Sequence, residues 1–274
     1  MTALNYLESL NPLQYESVCS TEGPNLIIAG AGTGKTKVLT TRVAHIIDNN
    51  LAFPSQILCV TFTNKAAREM SERVQKLVNQ NMEKMPWMGT FHSIGAKIIR
   101  NHAEVIGLKQ SFTILDKDDQ LSLIKQIIKA ENLDQSQFSP KLIQSKIDHW
   151  KNKALNPNEI KSETLDNLVD EKSLSIYQIY QARLFEINCL DFGDLLLQCI
   201  NLFKVPDIHK RYSNNFKYIH VDEYQDTNAA QYKWLKLLGS HHQNVCCVGD
   251  DDQSIYSWRG AEVDNMLRFE KEFE

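Results

Sequence analysis

The segment "LIIAGAGTGKTKVLTTRV" (Leu26–Val43) constrains the fold more than any other stretch of the chain. An apolar run leads into a glycine-rich turn, which ends in Gly34-Lys35-Thr36 where a helix-like pattern begins. A strand, a curled loop of inward-pointing backbone N–H groups and a helix N-terminus together form a phosphate cradle. "AGAGTGKT" fits that loop with Ala29 in the first glycine position. Ala29, Gly30, Ala31, Gly32, Thr33, Gly34, Lys35 and Thr36 are therefore candidate contacts for ATP. Lys35 is placed for the β- and γ-phosphates, and the Thr36 hydroxyl for a Mg2+ ion.

The surrounding pattern alternates in the same way. "NLIIAG" reads as a strand and "KTKVLTTRVAHIIDN" as a helix; "ILCVTFT" is the next strand. "NKAAREMSERVQKLV" is the next helix, with Ala66, Met70, Val74 and Leu77 on one face. This order predicts a parallel sheet with crossover helices. From about residue 92 helix patterns follow one another without clear strands, including "DKDDQLSLIKQIIKAEN" and "DFGDLLLQCINLF". Strands return with "YIHVDEYQD" (218–226) and "VCCVGDDDQ" (245–253). The expected class is α/β: 1–91 opens a nucleotide-binding domain, 92–213 is a helical insertion and 214–274 completes the domain. Two consecutive domains are the alternative. In the insertion, "KLIQSKIDHWKNK" (141–153) carries Lys141, Lys146, Lys151 and Lys153. It reads as a solvated helix face, with contact to duplex DNA as the other option.

A phosphate loop alone does not hydrolyse ATP. Asp222 and Glu223 end an apolar run, where one carboxylate can hold the metal and the other accept a proton from water. Gln253, at the end of the next strand, is a neutral amide that can touch both a γ-phosphate and that water. The net charge of −4 argues against a sequence-independent nucleic-acid coat, so any nucleic acid is gripped locally. The longest apolar runs are too short to span a bilayer, and no secretory signal is visible. Six cysteines without a C-x-x-C pair read as buried small hydrophobes in a reducing compartment. No zinc or iron–sulfur pattern is present.

In this order the pieces resemble superfamily 1A DNA helicases of the UvrD/PcrA/Rep type. The resemblance rests on "LNPLQ" (10–14), "AGAGTGKT", "TFTNKAAREM" (61–70), "GTFHS" (89–93), "DEYQDTN" (222–228) and "GDDDQSIYSWRGAE", and runs from residue 10 to the end. It implies a RecA-like P-loop domain 1A interrupted by a helical domain 1B, in a bacterial cytoplasmic repair or replication enzyme. The implied activity is ATP-dependent 3′-to-5′ movement on single-stranded DNA toward a single-strand/duplex junction, with Mg2+ as cofactor and repair proteins as possible partners. Gln14 would bond the adenine edge. Phe62, Thr63, Asn64, Thr90 and His92 would contact the strand, Tyr256 and Trp258 would stack on bases, and Arg259 would link the DNA side to the nucleotide side. Sequence-blind stacking suits such a motor, because every base has a π-face. The family has arginine at Lys37 and an acid at Gly193; lysine keeps the charge but loses the planar face, and no role is carried onto the acidic motif. Family members continue into a second RecA-like domain that supplies arginines to the γ-phosphate. These residues alone are thus expected to bind ATP and DNA without unwinding. A non-motor DNA- or helicase-binding protein, part of a recombination helicase–nuclease, and an unrelated P-loop kinase are the alternatives.

Overall fold

The computed structural model describes residues 6–78, 85–161, 163, 165, 167–250 and 269. In chain order the first elements are α1 (Pro12–Cys19), β1 (Asn25–Ile28), α2 (Lys35–Asp48), β2 (Ile57–Thr61), α3 (Asn64–Leu77), β3 (Met88–Thr90) and α4 (Phe91–Asn101). Next come β4 (Thr113–Leu115), α5 (Lys117–Ala130), α6 (Pro140–Asn152), α7 (Leu168–Glu186), β5 (Cys189–Asp191) and α8 (Asp194–Leu202). α9 (Pro206–Asn215), β6 (Tyr218–Val221), α10 (Ala229–Gly239) and β7 (Val245–Gly249) follow. The described residues divide into two compact units. One lies within 1–94, 206–228 and 235–274, and the other within 95–205 and 229–234.

The first unit is built on a parallel sheet of order β1-β7-β6-β2-β3. Parallel strands covered on both faces are apolar throughout, and every residue of β2, β6 and β7 is buried. On one face α2 supplies Leu39, Val43 and Ile46, and α3 supplies Met70 and Val74. They pack on Ile57, Cys59, Tyr218, Cys246 and Val248 from the strands. Ala67 rather than Ala66 completes the buried side of α3. The α/β architecture with a parallel central sheet is the one that the strand–helix alternation predicts, and it is consistent with the RecA-like P-loop fold that the resemblance implies. Cys59, Cys246 and Cys247 are buried free thiols.

The second unit packs α5, α6 and α7 around Ile124, Ile128, Ile143, Ile147, Ile176 and Tyr177. It also contains strands that the sequence pattern did not indicate: β4 and β5 form a parallel pair, Thr113 to Cys189 through Leu115 to Asp191. Asp191 therefore ends a strand, and the helix predicted to begin there starts at Asp194.

The basic run of α6 is not wholly solvated. Lys146 pairs with Asp170. Lys151 is fully buried, with Nζ 2.7 Å from Asp191 Oδ2 and 2.9 Å from Asp194 Oδ1. Asp191 Oδ2 also accepts hydrogen bonds from Tyr180 Oη (2.9 Å) and Gln120 Nε2 (3.3 Å). A charge leaves water only when such partners replace it. Gly193 lies against the same lysine: a Cβ there would sit 2.8 Å from Lys151 Cδ.

Candidate nucleotide site

β1, β7 and β6 lie side by side, and their C-terminal ends bring the candidate residues together. Ligand sites of parallel α/β sheets form outside these strand ends. β1 runs into the glycine loop, which is tied back to the sheet by Ala29 N–H donating to Gly249 O at 3.0 Å. Gly32 and Gly34 sit at φ +74° and +92°, where an L side chain is strained. Gly30 is not in that region, and a Cβ there would meet nothing within 4 Å. The loop's curl thus rests on two of its three glycines.

Lys35 opens α2, and its Nζ lies 2.8 Å from Asp250 Oδ2, just beyond β7. Asp250 N–H donates to Gln225 Oε1 (3.0 Å), and Gln225 Nε2 donates to Glu223 Oε2 (2.8 Å). One buried glutamine therefore links the carboxylate predicted to be the base with the aspartate that holds the loop lysine. Glu223 has φ +53°, a left-handed conformation that costs a non-glycine residue about 1–3 kcal/mol. Such strain concentrates where a side chain must be aimed.

Asp222 directly follows β6, and its backbone N–H donates to Val60 O at 3.0 Å. Burial and the neighbouring Glu223 push its carboxyl up to about 6, against the pull of Lys35 and Arg73. Burial and Glu223 likewise push Asp226 up to about 6. The Thr36 hydroxyl makes no hydrogen bond among the described residues. No group of three or more His, Cys, Asp or Glu side chains among them could hold a metal. A hydroxyl plus a carboxylate is a hard-oxygen set of the kind Mg2+ uses when water and phosphate fill its other positions.

Gln14 lies in the first turn of α1, in a capping box with Asn11. Its Nε2 donates to Thr33 O in the loop at 2.9 Å. Lys37 Nζ donates to Ser9 O at 2.6 Å. The other predicted contacts gather past β2 and β3. Phe62 meets Phe91 edge-on at 5.6 Å. Thr63 caps α3 by accepting from Ala66 N–H (3.1 Å), and Thr90 accepts from Ser93 N–H (3.2 Å). Asn64 is exposed, His92 is half-exposed and Thr90 is buried. Gln253, Tyr256, Trp258 and Arg259 lie outside the described residues.

A family model, the UvrD/REP helicase N-terminal domain, matches residues 10–274. The chain belongs to this family. Among similar proteins, DNA helicase II of Rickettsia typhi is 52% identical over 273 residues, covering 98% of this chain and 41% of its own length. The probable DNA helicase II homolog of Rickettsia felis is 50% identical over 272 residues, covering 98% of the chain and 41% of its own length. The ATP-dependent DNA helicase PcrA of Staphylococcus aureus is 49% identical over 268 residues, covering 97% of the chain and 36% of its own length. The chain thus spans roughly two fifths of the relatives it matches. Asp250 and Gln225, which the structure places beside Lys35 and Glu223, were not singled out from sequence. Asp250 had one available signal, since it directly follows the apolar run "VCCVG" as Asp222 follows "YIHV".

Proposed function

We propose that this chain is the ATP-binding portion of a DNA helicase that moves 3′ to 5′ on single-stranded DNA. The observation that carries the reading is the convergence of Lys35, Asp222, Glu223 and Asp250 at the ends of three adjacent parallel strands. In this reading the first unit is domain 1A and the second is domain 1B. Gln14 reads the adenine edge and residues 29–37 hold the triphosphate. Lys35 exchanges the Asp250 carboxylate for the β- and γ-phosphates. Thr36 and Asp222 would hold Mg2+, which when bound neutralises charge on the phosphate oxygens. Glu223 takes a proton from the water attacking the γ-phosphorus as the bond to the β-phosphate oxygen breaks. Gln225 keeps Glu223 aimed for that transfer. Phe62, Thr63, Asn64, Thr90 and His92 face the strand, joined by Tyr256, Trp258 and Arg259, while Gln253 senses the γ-phosphate.

These residues supply one wall of the site. Arginine fingers contribute about 10³–10⁵ in rate in related phosphoryl-transfer enzymes. The 274-residue chain alone is expected to bind Mg-ATP weakly, hydrolyse it very slowly and leave duplexes intact. Binding of a fluorescent ATP analogue with and without Mg2+, anisotropy of labelled oligonucleotides, and ATP turnover with and without single-stranded DNA test the reading. Failure to bind both ATP and oligonucleotide would overturn it.

A further inference from the structure

α1 is attached to its surroundings in an unusual way. Of its eight residues only Val18 is buried. Burying one valine is worth about 1.5–3 kcal/mol, too little to fix the direction of a helix. Among the described residues, the polar ties of this segment that follow all reach the loop–α2 element. Lys37 holds Ser9 O just before the helix, and Gln14 holds Thr33 O at its first turn. At the other end Arg42 donates from Nη1 to Ser17 O (2.5 Å) and from Nη2 to Thr21 O (3.1 Å).

Arg42 is only 1% exposed, and no carboxylate among the described residues forms an ion pair with it. Its Nε has no partner there. The nearby His220 stays neutral, because burial and then the Arg42 charge hold its imidazole well below the usual range. The guanidinium charge is therefore met by carbonyls at and just past the C-terminal turn of α1, where a helix presents its partial negative charge. Burying arginine this way is costly. What it achieves is orientation, since a planar fork on two carbonyls fixes a direction that an apolar contact does not.

We propose that Arg42 is a positioning residue for base selectivity: it anchors the C-terminal end of α1 so that Gln14, at the other end, meets the base of a bound purine nucleotide. This rests on the reading of the site given above. Arg42 lies on the second turn of α2, past the loop, and touches neither phosphate nor base itself. Its loss should therefore weaken base recognition while leaving phosphate binding intact.

The test measures dissociation constants of ATP, GTP and inorganic tripolyphosphate, each with Mg2+, for the chain and its Arg42→Met, Arg42→Lys and Gln14→Ala variants. In Arg42→Met, ATP should bind about tenfold more weakly, as expected for one lost charged hydrogen bond's worth of orientation. Tripolyphosphate should be unchanged, so the preference for ATP over GTP collapses. Arg42→Lys, which keeps the charge and one contact, should recover part of the preference. Adding Gln14→Ala to Arg42→Met should cost nothing further. An intact ATP preference in Arg42→Met, or in Arg42→Lys if the methionine variant does not fold, overturns the proposal. So does a parallel loss of tripolyphosphate binding. A wild-type chain that binds tripolyphosphate without preferring ATP removes the base-reading role of Gln14 and this proposal with it. A chain that binds none of the three overturns the nucleotide reading itself.

Discussion

Lys35 and Lys151 make the same chemical pairing in the two units and use it oppositely. Lys35 is 10% exposed, stands at the mouth of a glycine loop and holds one aspartate. Lys151 is 0% exposed and holds two. In the proposed function the first pair trades its carboxylate for phosphate, since the lysine side chain keeps some exposure at the end of the loop. The second cannot, because Tyr180, Gln120 and Gln181 donate to the same two oxygens as Lys151, and the backbone N–H groups of Asp194 and Asp191 hold the other two. An ion pair becomes a binding site or a structural knot according to what surrounds it.

Lys151→Met should break the comparison most severely. It leaves two buried carboxylates facing each other and should cost about 3–5 kcal/mol by chemical denaturation. Lys35→Ala strands one buried carboxylate, Asp250, rather than two, so it should cost less stability than Lys151→Met while weakening Mg-ATP by about 1.5–3 kcal/mol, read by calorimetric titration. Equal stability losses in the two variants would erase the distinction.

Gly193→Ala comes next, since its Cβ would press on the Lys151 stem, 2.8 Å from Cδ. About 1–3 kcal/mol of overpacking is expected in thermal melts.

Acidification should separate the units more gently. Burial, then the charge of Asp191, push Asp194 up to about 6 in spite of Lys151. Its folded value lies above its unfolded one, so the folded state holds more protons between about pH 4 and 6. Stability from this group is gained as pH falls through that window and is absent above it. Asp191 works the other way. Burial raises it, but the Lys151 charge and hydrogen bonds outweigh that and hold it below the ordinary range. Its contribution is lost only in stronger acid. Meanwhile protonation of Asp222, also near 6, should weaken Mg2+-dependent nucleotide binding over the same window. Melting and titration at pH 5.5 and 7.5 should therefore move in opposite directions. The smallest effect belongs to Gly30→Ala, expected to stay within about 0.5 kcal/mol because its Cβ would meet open space.

β1, β2, β6 and β7 were readable from sequence because each is a largely apolar run of four or five residues, and β6 and β7 end against an acid or a glycine. β3, β4 and β5 have three residues each, too few for a strand period to register. Lys151 was misread for a different reason. A lysine on a helix looks the same in sequence whether water or an aspartate 40 residues later receives it. Asp250 and Gln225 were hidden likewise, since the contact of Asp250 with Lys35 spans 215 positions. Glu223 was visible as an acid, but its left-handed backbone was not.

The strand order has a consequence for how the chain acquires its shape. β1 pairs only with β7 among the described strands, Asn25 with Cys246 through Ile28 with Gly249. The ribosome therefore releases the glycine loop long before the strand that supports it. Long-range pairing of this kind is slow, because a large loop must close before any contact rewards it. The helices of the second unit draw mostly on neighbours close in sequence and can condense while the first unit waits. A pulse-labelling hydrogen-exchange experiment should find α5–α7 protected first and β1 last.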